Sequence, residues 1–216
     1  MDSKESALKV AEFLLKIKAV ELKPDQPFTW ASGIKSPIYC DNRKTLSHPN
    51  VRTFLRQQFV EMIDKNFSKP DVIAGVATGG IALGALVAQE MGLPFVYVRS
   101  EAKKHGLGNM IEGHLESGQS VVVIEDLIST GGSSLNAVAA LRDAKAKVNG
   151  MVAIFTYGFD KAKENFKAAK CKLYTLSDYD TLIKQASREN YVSDKHLAEL
   201  KAWRSNPEGW KKKTSD

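Results

Sequence analysis

The stretch VVVIEDLISTGGSS, residues 121–134, combines residue types that together can bind and polarise a ligand. Four apolar residues lead into two adjacent carboxylates, Glu125 and Asp126, and a turn of hydroxyls and glycines follows. Carboxylates accept hydrogen bonds from neutral O–H groups, whereas backbone N–H groups in a turn before a helix bind anions. The stretch therefore predicts two adjoining subsites, one for hydroxyl groups and one for a phosphate.

The second half of this stretch has the features of a phosphate cradle. Backbone N–H groups from Ser129 to Ser133 are expected to point into the turn, where the following helix adds positive partial charge. Gly131 and Gly132 permit close approach of a ligand to the backbone, and Thr130 adds a hydroxyl between the two serines. Beside such a cradle, the acidic pair suits the vicinal hydroxyls of a ribose 5-phosphate and positive charge developing on the sugar ring.

A regular alternation of strands and helices is expected to position the stretch. The predicted strands cover 71–77, 94–98, 120–125, 148–157 and 172–176, and the predicted helices cover 81–91, 133–146 and about 160–169. The strands are continuous Val- and Ile-rich runs, which is typical of parallel strands buried on both faces. The pattern predicts a doubly wound α/β sheet with ligands at the carboxyl ends of its strands, where the acidic pair is placed.

The flanking segments predict further elements around this core. Val10, Phe13, Leu14 and Ile17 recur at helical spacing, which predicts an amphipathic N-terminal helix. A loop-rich segment with short strands is expected over 24–50 and a helix over about 51–66. The stretches DYDTLIKQASREN and DKHLAELKAW predict two C-terminal helices, followed by a lysine run at 211–213 that we expect to be a solvated tail.

Length and composition limit the class of protein. A chain of 216 residues that is 43% hydrophobic can bury one sizeable core. Its net charge of +6 is compatible with nucleic acid, a membrane surface or a phosphorylated metabolite, and does not choose among them. Cys40 and Cys171 form no CxxC motif, so neither a disulfide framework nor a zinc site is expected. With no signal peptide and no apolar run of about 18 residues, the expected location is the cytoplasm.

Four segments carry a family resemblance. VVVIEDLISTGGSS resembles the signature with which type I phosphoribosyltransferases bind 5-phosphoribosyl 1-diphosphate (PRPP). FTWASGIKSPIYCDNR (28–43), GVATGGIALG (75–84) and YVRSEAKKHG (97–106) resemble the N-terminal segment, the pyrophosphate loop and the mobile catalytic loop of the orotate phosphoribosyltransferases. The order and spacing agree with the short bacterial form of that family, so the resemblance covers most of the chain.

The resemblance implies a type I phosphoribosyltransferase fold: a doubly wound, mainly parallel sheet flanked by helices, with a small N-terminal hood and a mobile lid loop. It implies a single domain over 1–216, with the N-terminal helix and base-binding hood over about 1–50. The PRPP-binding core would cover about 68–180, and C-terminal helices and a basic tail would cover about 180–216. The implied reaction converts orotate and PRPP into orotidine 5′-monophosphate and pyrophosphate, as a step of pyrimidine (UMP) biosynthesis. Mg²⁺ would enter with PRPP, and no nucleic acid or membrane partner is implied.

The same resemblance assigns roles to individual residues. Catalytic roles fall on Lys103, His105 and Asp126. The PRPP-binding set is Arg99, Lys103, Lys104, His105, Glu125, Asp126, Leu127, Ile128, Ser129, Thr130, Gly131, Gly132 and Ser133. Thr78, Gly79 and Gly80 would form the pyrophosphate loop, Ser129 and Lys35 would contact orotate, and no protein residue is assigned to a metal. The implied assembly is a homodimer in which Arg99, Lys103 and His105 act in the neighbouring subunit's site.

The residues of the lid segment also support this chemistry by themselves. Arg99, Lys103, Lys104 and His105 are cations that could follow the substrate into the site and neutralise a departing pyrophosphate. Glycines in the same stretch could serve as hinges, and closure would exclude water and strengthen these charges. Histidine has an ordinary pKa near ~6.5, so His105 suits a proton donor or a charge partner near neutrality.

Three positions depart from the family pattern. Ala31, Gly79 and Tyr157 stand where many family members carry basic residues. The orotate carboxylate is therefore expected to be held differently, by backbone N–H groups together with Lys35, Arg43 or Ser129.

Two alternatives remain open from the sequence. A purine-type phosphoribosyltransferase would share residues 121–134 but leaves the segments at 28–43 and 97–106 unexplained. A PRPP-binding regulator that has lost catalysis and binds RNA or DNA would account for the basic charge and the lysine tail. The intact lid cations count against the regulator, and no nucleic-acid-binding motif is recognisable.

Overall fold

The computed structural model describes residues 3–30, 33–100 and 110–211, and the chain divides into two compact units. One unit is continuous, Leu46–Leu176, and the other combines Met1–Thr45 with Ser177–Asp216. The subdivision of a single domain into hood, core and tail stays a prediction.

The described residues form the following elements in chain order. The helices are α1 (Ser3–Lys16), α2 (Pro49–Asn66), α3 (Gly79–Met91), α4 (Gly132–Asp143), α5 (Asp160–Ala168), α6 (Tyr179–Arg188) and α7 (Asp194–Ser205), with a 3₁₀ helix at Asn42–Ser47. The strands are β1 (Val20–Leu22), β2 (Phe28–Thr29), β3 (Lys35–Ser36), β4 (Ile38–Cys40), β5 (Val72–Val76), β6 (Phe95–Val98), β7 (Ile111–Glu112), β8 (Ser120–Ile128), β9 (Lys147–Thr156) and β10 (Leu173–Asp178).

A six-stranded sheet with the order β10-β9-β8-β5-β6-β7 forms the centre of the continuous unit. The neighbours β9 and β8, β8 and β5, and β5 and β6 are parallel, and β7 adds an antiparallel edge to β6. Every residue of β5 is buried, as are the apolar residues of β8 up to the acidic pair. Burial on both faces explains why these strands are continuous apolar runs, and it confirms the predicted mainly parallel sheet.

Helices cover both faces of this sheet. On one face, Val123 belongs to the same buried cluster as Leu141 of α4 and Phe166 of α5. On the other face, a Cβ at Gly75 of β5 would lie 2.6 Å from the carbonyl oxygen of Gly80 in α3. Since successive residues of a strand face opposite sides, the sheet is doubly wound, as the alternation of elements predicted.

The sequence placed two strand ends of the central sheet too early, since β8 ends at Ile128 and β10 at Asp178, and it did not predict one strand. The predicted strand 120–125 continues to Ile128, because β9 runs beside it and pairs Ile128 with Thr156. Glu125 and Asp126 therefore lie within β8 rather than at its end. Strand β7 falls in a segment for which no strand was predicted, and its pairing with β6 supplies the hydrogen bonds that hold it there.

The second unit contains the N-terminal and C-terminal helices and two small hairpins. Helix α1 packs on α6, and Ser177 Oγ donates to the Ala7 carbonyl at 2.9 Å. Strand β1 pairs with β4 and β2 pairs with β3, both antiparallel. Trp203 of α7 is fully buried and donates from Nε1 to the Lys35 carbonyl at 3.2 Å. The N-terminal amphipathic helix and the two C-terminal helices are confirmed.

None of the helices formed by the described residues combines the length and the apolar character needed to span a membrane.

Candidate active site

The acidic pair lies near the carboxyl end of β8, a strand with a parallel neighbour on each side. Glu125 is 6% exposed and Asp126 is half-buried. Glu125 faces the core because the alternation of a strand turns its side chain inward, and Asp126 turns to the opposite face. The two adjacent carboxyl groups thus occupy different environments.

Two protein donors hold the Glu125 carboxyl group. Ser134 Oγ donates to Oε2 at 2.8 Å, and the backbone N–H of Asp126 donates to Oε1 at 2.9 Å. Burial is the largest cause that raises the pKa of Glu125, and the neighbouring Asp126 carboxyl group also raises it, whereas the two donors lower it; the net result is a pKa of about 8. Glu125 is therefore mostly protonated at neutral pH.

The start of α3 lies directly against the Asp126 carboxyl group. A Cβ at Gly79 would collide with that carboxyl group, and a Cβ at Gly80 would collide with the carbonyl oxygen of Ile124. The peptide bond between Ala77 and Thr78 is cis. The lack of a Cβ at Gly79 and Gly80 lets the predicted pyrophosphate loop and the end of β8 approach this closely, and the positive end of the α3 dipole faces a carboxyl group.

The predicted phosphate cradle is the turn between β8 and α4. Gly131 precedes the helix with a φ of 81°, in the left-handed region that favours glycine. Asn165 of α5 donates from Nδ2 to the Thr130 carbonyl at 2.9 Å, which ties the turn to the neighbouring helix. Gly132 and Ser133 are exposed, and no side chain among the described residues caps the start of α4. The first backbone N–H groups of α4 are therefore open to an anion.

The end of β9 brings Tyr157 beside this turn. The backbone N–H of Tyr157 donates to the Ile128 carbonyl at 3.1 Å, and Thr156 Oγ1 donates to the same carbonyl at 3.2 Å. Tyr157 is only 3% exposed, and its ring stacks on Phe159 with centroids 5.5 Å apart. At this position, where many family members carry a basic residue, the side chain is part of the core.

The remaining candidate residues are distributed over both units. Arg99 follows β6, its backbone N–H donates to the Met110 carbonyl at 2.9 Å, and its Nη1 lies 3.5 Å from Glu112 Oε1. In the other unit, Lys35 is exposed and donates to Thr29 Oγ1 at 2.8 Å. Arg43, also in that unit, pairs with Asp41 at 2.7 Å. Ala31, Lys103, Lys104 and His105 lie outside the described residues.

The structure thus brings three predicted groups together within one unit. The predicted pyrophosphate loop at Thr78, Gly79 and Gly80 contacts the end of β8 through its two glycines. The acidic pair lies on β8, and residues 129–133 lead from this strand into α4. Leu127 and Ile128 complete the strand, and Ile128 is buried. Among the described residues, no group of three or more His, Cys, Asp or Glu side chains is arranged to hold a metal ion.

Ser134 is a residue of the site that was not predicted from the sequence. Its side chain is 2% exposed and lies in the buried face of α4 with Ala137, Val138 and Leu141. A hydroxyl in an otherwise apolar helical face is a detectable signal, because a buried polar group needs a hydrogen-bond partner. The identity of that partner, nine residues back in the chain, required the structure.

Comparisons with known proteins agree on one family. Residues 46–187 match the Phosphoribosyl transferase domain. The chain is 60% identical over 203 residues to an orotate phosphoribosyltransferase of Listeria innocua, an alignment covering 94% of this chain and 97% of that protein. It is 54% identical over 201 residues to an orotate phosphoribosyltransferase of Porphyromonas gingivalis, with coverage of 93% and 96%. The crystal structure of orotate phosphoribosyltransferase from Aeropyrum pernix is similar with a TM-score of 0.74 and 26% identity, covering 85% of this chain and 99% of that chain.

Proposed function

The chain belongs to the orotate phosphoribosyltransferase family, and from this membership we propose that it transfers ribose 5-phosphate from PRPP to orotate. A ring nitrogen of orotate loses its proton and forms a bond to the anomeric carbon, while the bond from that carbon to pyrophosphate breaks and the pyrophosphate departs with the bonding electron pair. The products are orotidine 5′-monophosphate and pyrophosphate, which makes the reaction a step of pyrimidine biosynthesis. The single observation that carries the proposal is the contact of the pyrophosphate loop with the acidic pair at Gly79 and Asp126, next to an open helix N-terminus.

The two halves of the β8–α4 segment address different parts of PRPP. The turn from Ser129 to Ser133 offers N–H groups and hydroxyls to the terminal 5′-phosphate. Asp126, half-buried and therefore accessible, accepts from the ribose hydroxyls. A negative carboxylate at this place also stabilises the positive charge that develops on the ribose ring as the pyrophosphate leaves. Asp126 therefore has the catalytic role in this segment.

Lid cations stabilise the leaving pyrophosphate in this proposal. Arg99 stands at the foot of the segment, where its backbone hydrogen bond to Met110 joins the two ends of the connection between β6 and β7. Lys103, Lys104 and His105 follow in that connection and lie outside the described residues. Their positive charges would meet the pyrophosphate, and His105 could supply a proton to it. That these residues serve a neighbouring subunit in a homodimer is part of the proposal.

The donor set fits a magnesium ion that arrives with the substrate. Mg²⁺ uses one or two carboxylates together with substrate phosphates and keeps several waters. Asp126 offers one accessible carboxylate beside the pyrophosphate loop, where two negative groups would otherwise repel each other. When bound, the ion would neutralise charge on the leaving pyrophosphate. Magnesium dependence, the homodimer and a cytoplasmic location stay predictions.

That orotate contacts Ser129 and Lys35 stays a prediction from the family resemblance. Ser129 is half-buried at the start of the phosphate turn, and Lys35 is exposed in the other unit. Position 157 is a tyrosine whose side chain is packed in the core, so this position does not present a cation to the orotate carboxylate. Backbone N–H groups, Lys35 and Arg43 remain the candidates for that contact.

An absorbance assay tests the proposed function directly. Purified protein with PRPP and MgCl₂ is expected to consume orotate, followed by the loss of orotate ultraviolet absorbance. Chelation of Mg²⁺ by EDTA is expected to stop the reaction, and excess MgCl₂ to restore it. A protein that is inert with orotate but converts adenine, guanine or hypoxanthine would instead be a purine-type enzyme.

The same preparation tests the regulator alternative. Inactivity with every base, together with nucleic-acid binding that persists at physiological ionic strength, would favour a PRPP-binding regulator. The strong salt dependence of phosphate contacts makes the ionic strength of that measurement decisive.

A further inference from the structure

We propose that Ser134 is a positioning residue for ribose recognition and that it acts through Glu125. Its hydroxyl fixes the Glu125 carboxyl group so that the acidic pair presents one defined arrangement of acceptors to the ribose hydroxyls. The inference rests on the proposed function, because it assigns the sugar of PRPP to the acidic pair.

The first observation that supports this role is the set of contacts around Glu125. Both carboxyl oxygens are held inside the protein, Oε2 by Ser134 Oγ at 2.8 Å and Oε1 by the Asp126 N–H at 2.9 Å. Glu125 is mostly protonated at neutral pH, so these two bonds orient a group that still has one O–H donor and some remaining acceptor capacity. Loss of one donor would free the carboxyl group to rotate about its terminal torsion, which has broad minima.

The second observation is the position of Ser134 on α4. It is the residue with a hydroxyl among the buried residues of that helix, which are Ser134, Ala137, Val138 and Leu141. An apolar side chain would satisfy packing at such a position, whereas a hydroxyl there is useful only with a partner. Side chains on a helix lean toward its N-terminus, and this direction takes Ser134 toward Glu125 on β8.

The third observation is that α4 contributes to both proposed subsites, the one for phosphate and the one for ribose. The N-terminus of this helix, at Gly132 and Ser133, is the proposed phosphate cradle, and its third residue holds the carboxyl group proposed for the sugar. One rigid element therefore sets the spacing between the two subsites. A ligand with both a phosphate and a ribose should depend on Ser134, and a ligand with phosphate alone should not.

Calorimetric binding of two probes tests this distinction. Ribose 5-phosphate is expected to bind Ser134→Ala about 10-fold more weakly than wild type, the size of effect that loss of one hydrogen bond to a carboxyl group produces. Inorganic phosphate is expected to bind both proteins within about twofold, because the cradle is intact. Ser134→Thr keeps the hydroxyl and should recover ribose 5-phosphate affinity, and Asn136→Ala, an exposed change on the same helix, should match wild type.

A double-mutant cycle tests whether Ser134 acts through Glu125. If it does, Ser134→Ala should have little further effect on ribose 5-phosphate affinity once Glu125→Ala has removed the carboxyl group, so the two effects are not additive. Thermal unfolding verifies that each variant is folded. Ser134→Cys, which keeps the size of the side chain with a weaker donor, is the second variant and should also lose affinity for ribose 5-phosphate.

Three outcomes would overturn the inference: unchanged ribose 5-phosphate binding in folded Ser134→Ala, equal weakening of both probes, or additive effects in the cycle. Orotate turnover by the wild-type protein is measured in parallel. Its absence would remove the proposed function, whereas the binding results judge Ser134 independently of turnover.

Discussion

Glu125 is a carboxyl group that the fold keeps largely protonated at neutral pH. Burial and the adjacent Asp126 charge raise its pKa from 4.5 to about 8, although Ser134 and a backbone N–H favour the charged form. The proton on Glu125 lets two carboxyl groups lie side by side without full repulsion. At the residue scale, Glu125 therefore adds little negative charge to the site at neutral pH.

The stability of the protein is expected to depend on pH through Glu125. Between about pH 4.5 and about pH 8, Glu125 retains its proton in the folded protein, whereas the same side chain has lost it in the unfolded chain. The contribution of Glu125 to the free energy of unfolding is therefore present below that range, falls as pH rises through it, and levels off above it. Urea unfolding of wild type and Glu125→Gln without ligand, at several pH values from 5 to 9, measures the difference.

The comparison with the variant isolates Glu125 from other titrating groups. Because a glutamine side chain cannot ionise, the stability of Glu125→Gln should fall less steeply over the range than that of wild type. Parallel curves for the two proteins would contradict the raised pKa.

Gly131 is a second position where the residue type is fixed by its surroundings. Its φ is 81°, and a Cβ there would lie 2.6 Å from the Phe166 ring. Gly131→Ala is therefore expected to lower the free energy of unfolding by about 1–3 kcal/mol, measured by urea denaturation. Gly132→Ala, where a Cβ meets nothing within 4 Å, should stay within about 0.5 kcal/mol of wild type. Equal losses in the two variants would show that the Phe166 contact and the positive φ are unimportant.

At the scale of elements, the site depends on how closely α3 approaches β8. The sequence predicted both elements, and it predicted the loop at Thr78–Gly80 from its resemblance to a pyrophosphate loop. It assigned Gly79 to that loop and also noted it as a departure from the family pattern. The structure gives the departure a physical reason, because a side chain at this position would occupy the space of the Asp126 carboxyl group.

Gly79→Ala is expected to impair activity more than stability. The added Cβ would push the Asp126 side chain aside, which is easy for a flexible carboxyl group and should cost under about 1 kcal/mol of stability. We expect kcat/KM for PRPP to fall about 10- to 100-fold, since a small displacement of a catalytic group has effects of this size. Steady-state kinetics and urea unfolding measure the two quantities.

Ala85→Gly is the matched control for this prediction. Ala85 is exposed in the middle of α3, so the change should weaken the helix by about 1 kcal/mol while leaving Asp126 in place. Its kinetics should match wild type. A Gly79→Ala enzyme as active as Ala85→Gly would show that the contact between α3 and β8 does not position Asp126.

At the scale of the whole molecule, the proposed homodimer makes a distinctive prediction about mixed subunits. Asp126→Asn and Lys103→Ala should each lower kcat by about 100-fold or more with stability nearly unchanged, since both remove charge stabilisation of the transition state. If Lys103 acts in the neighbouring site, a dimer with one subunit of each variant has one intact site and one doubly defective site. An equal mixture should recover about a quarter of wild-type activity, because half the dimers are mixed.

The mixing experiment has an internal control. The double variant, Lys103→Ala with Asp126→Asn, is taken through the same mixing procedure and should show no recovery of activity. Size-exclusion chromatography establishes beforehand that each protein is a dimer. If mixed dimers form but the mixture is no more active than its parents, the lid serves its own subunit. A monomeric wild-type protein would contradict the proposed assembly.

The fold class was predictable from local sequence, and so was the presence of an acidic pair beside a glycine turn; the role of that segment in binding a ribosyl phosphate stays a prediction. Continuous apolar runs and the strand–helix alternation predicted the parallel sheet. The type I phosphoribosyltransferase fold implied by the resemblance is confirmed by that sheet together with the similarity to solved structures. The acidic pair and the glycine turn were visible because their chemistry depends on neighbours in the chain.

Only the tertiary structure decided how the carboxyl groups are held. Strand β8 extends to Ile128 because β9 supplies hydrogen bonds beside it, and no local pattern in residues 121–134 specifies that partner. The hydrogen bond from Ser134 to Glu125 and the close contact of Gly79 with Asp126 join residues 9 and 47 positions apart in the chain. Such contacts depend on how α3 and α4 pack against the sheet, and packing is a property of the folded chain.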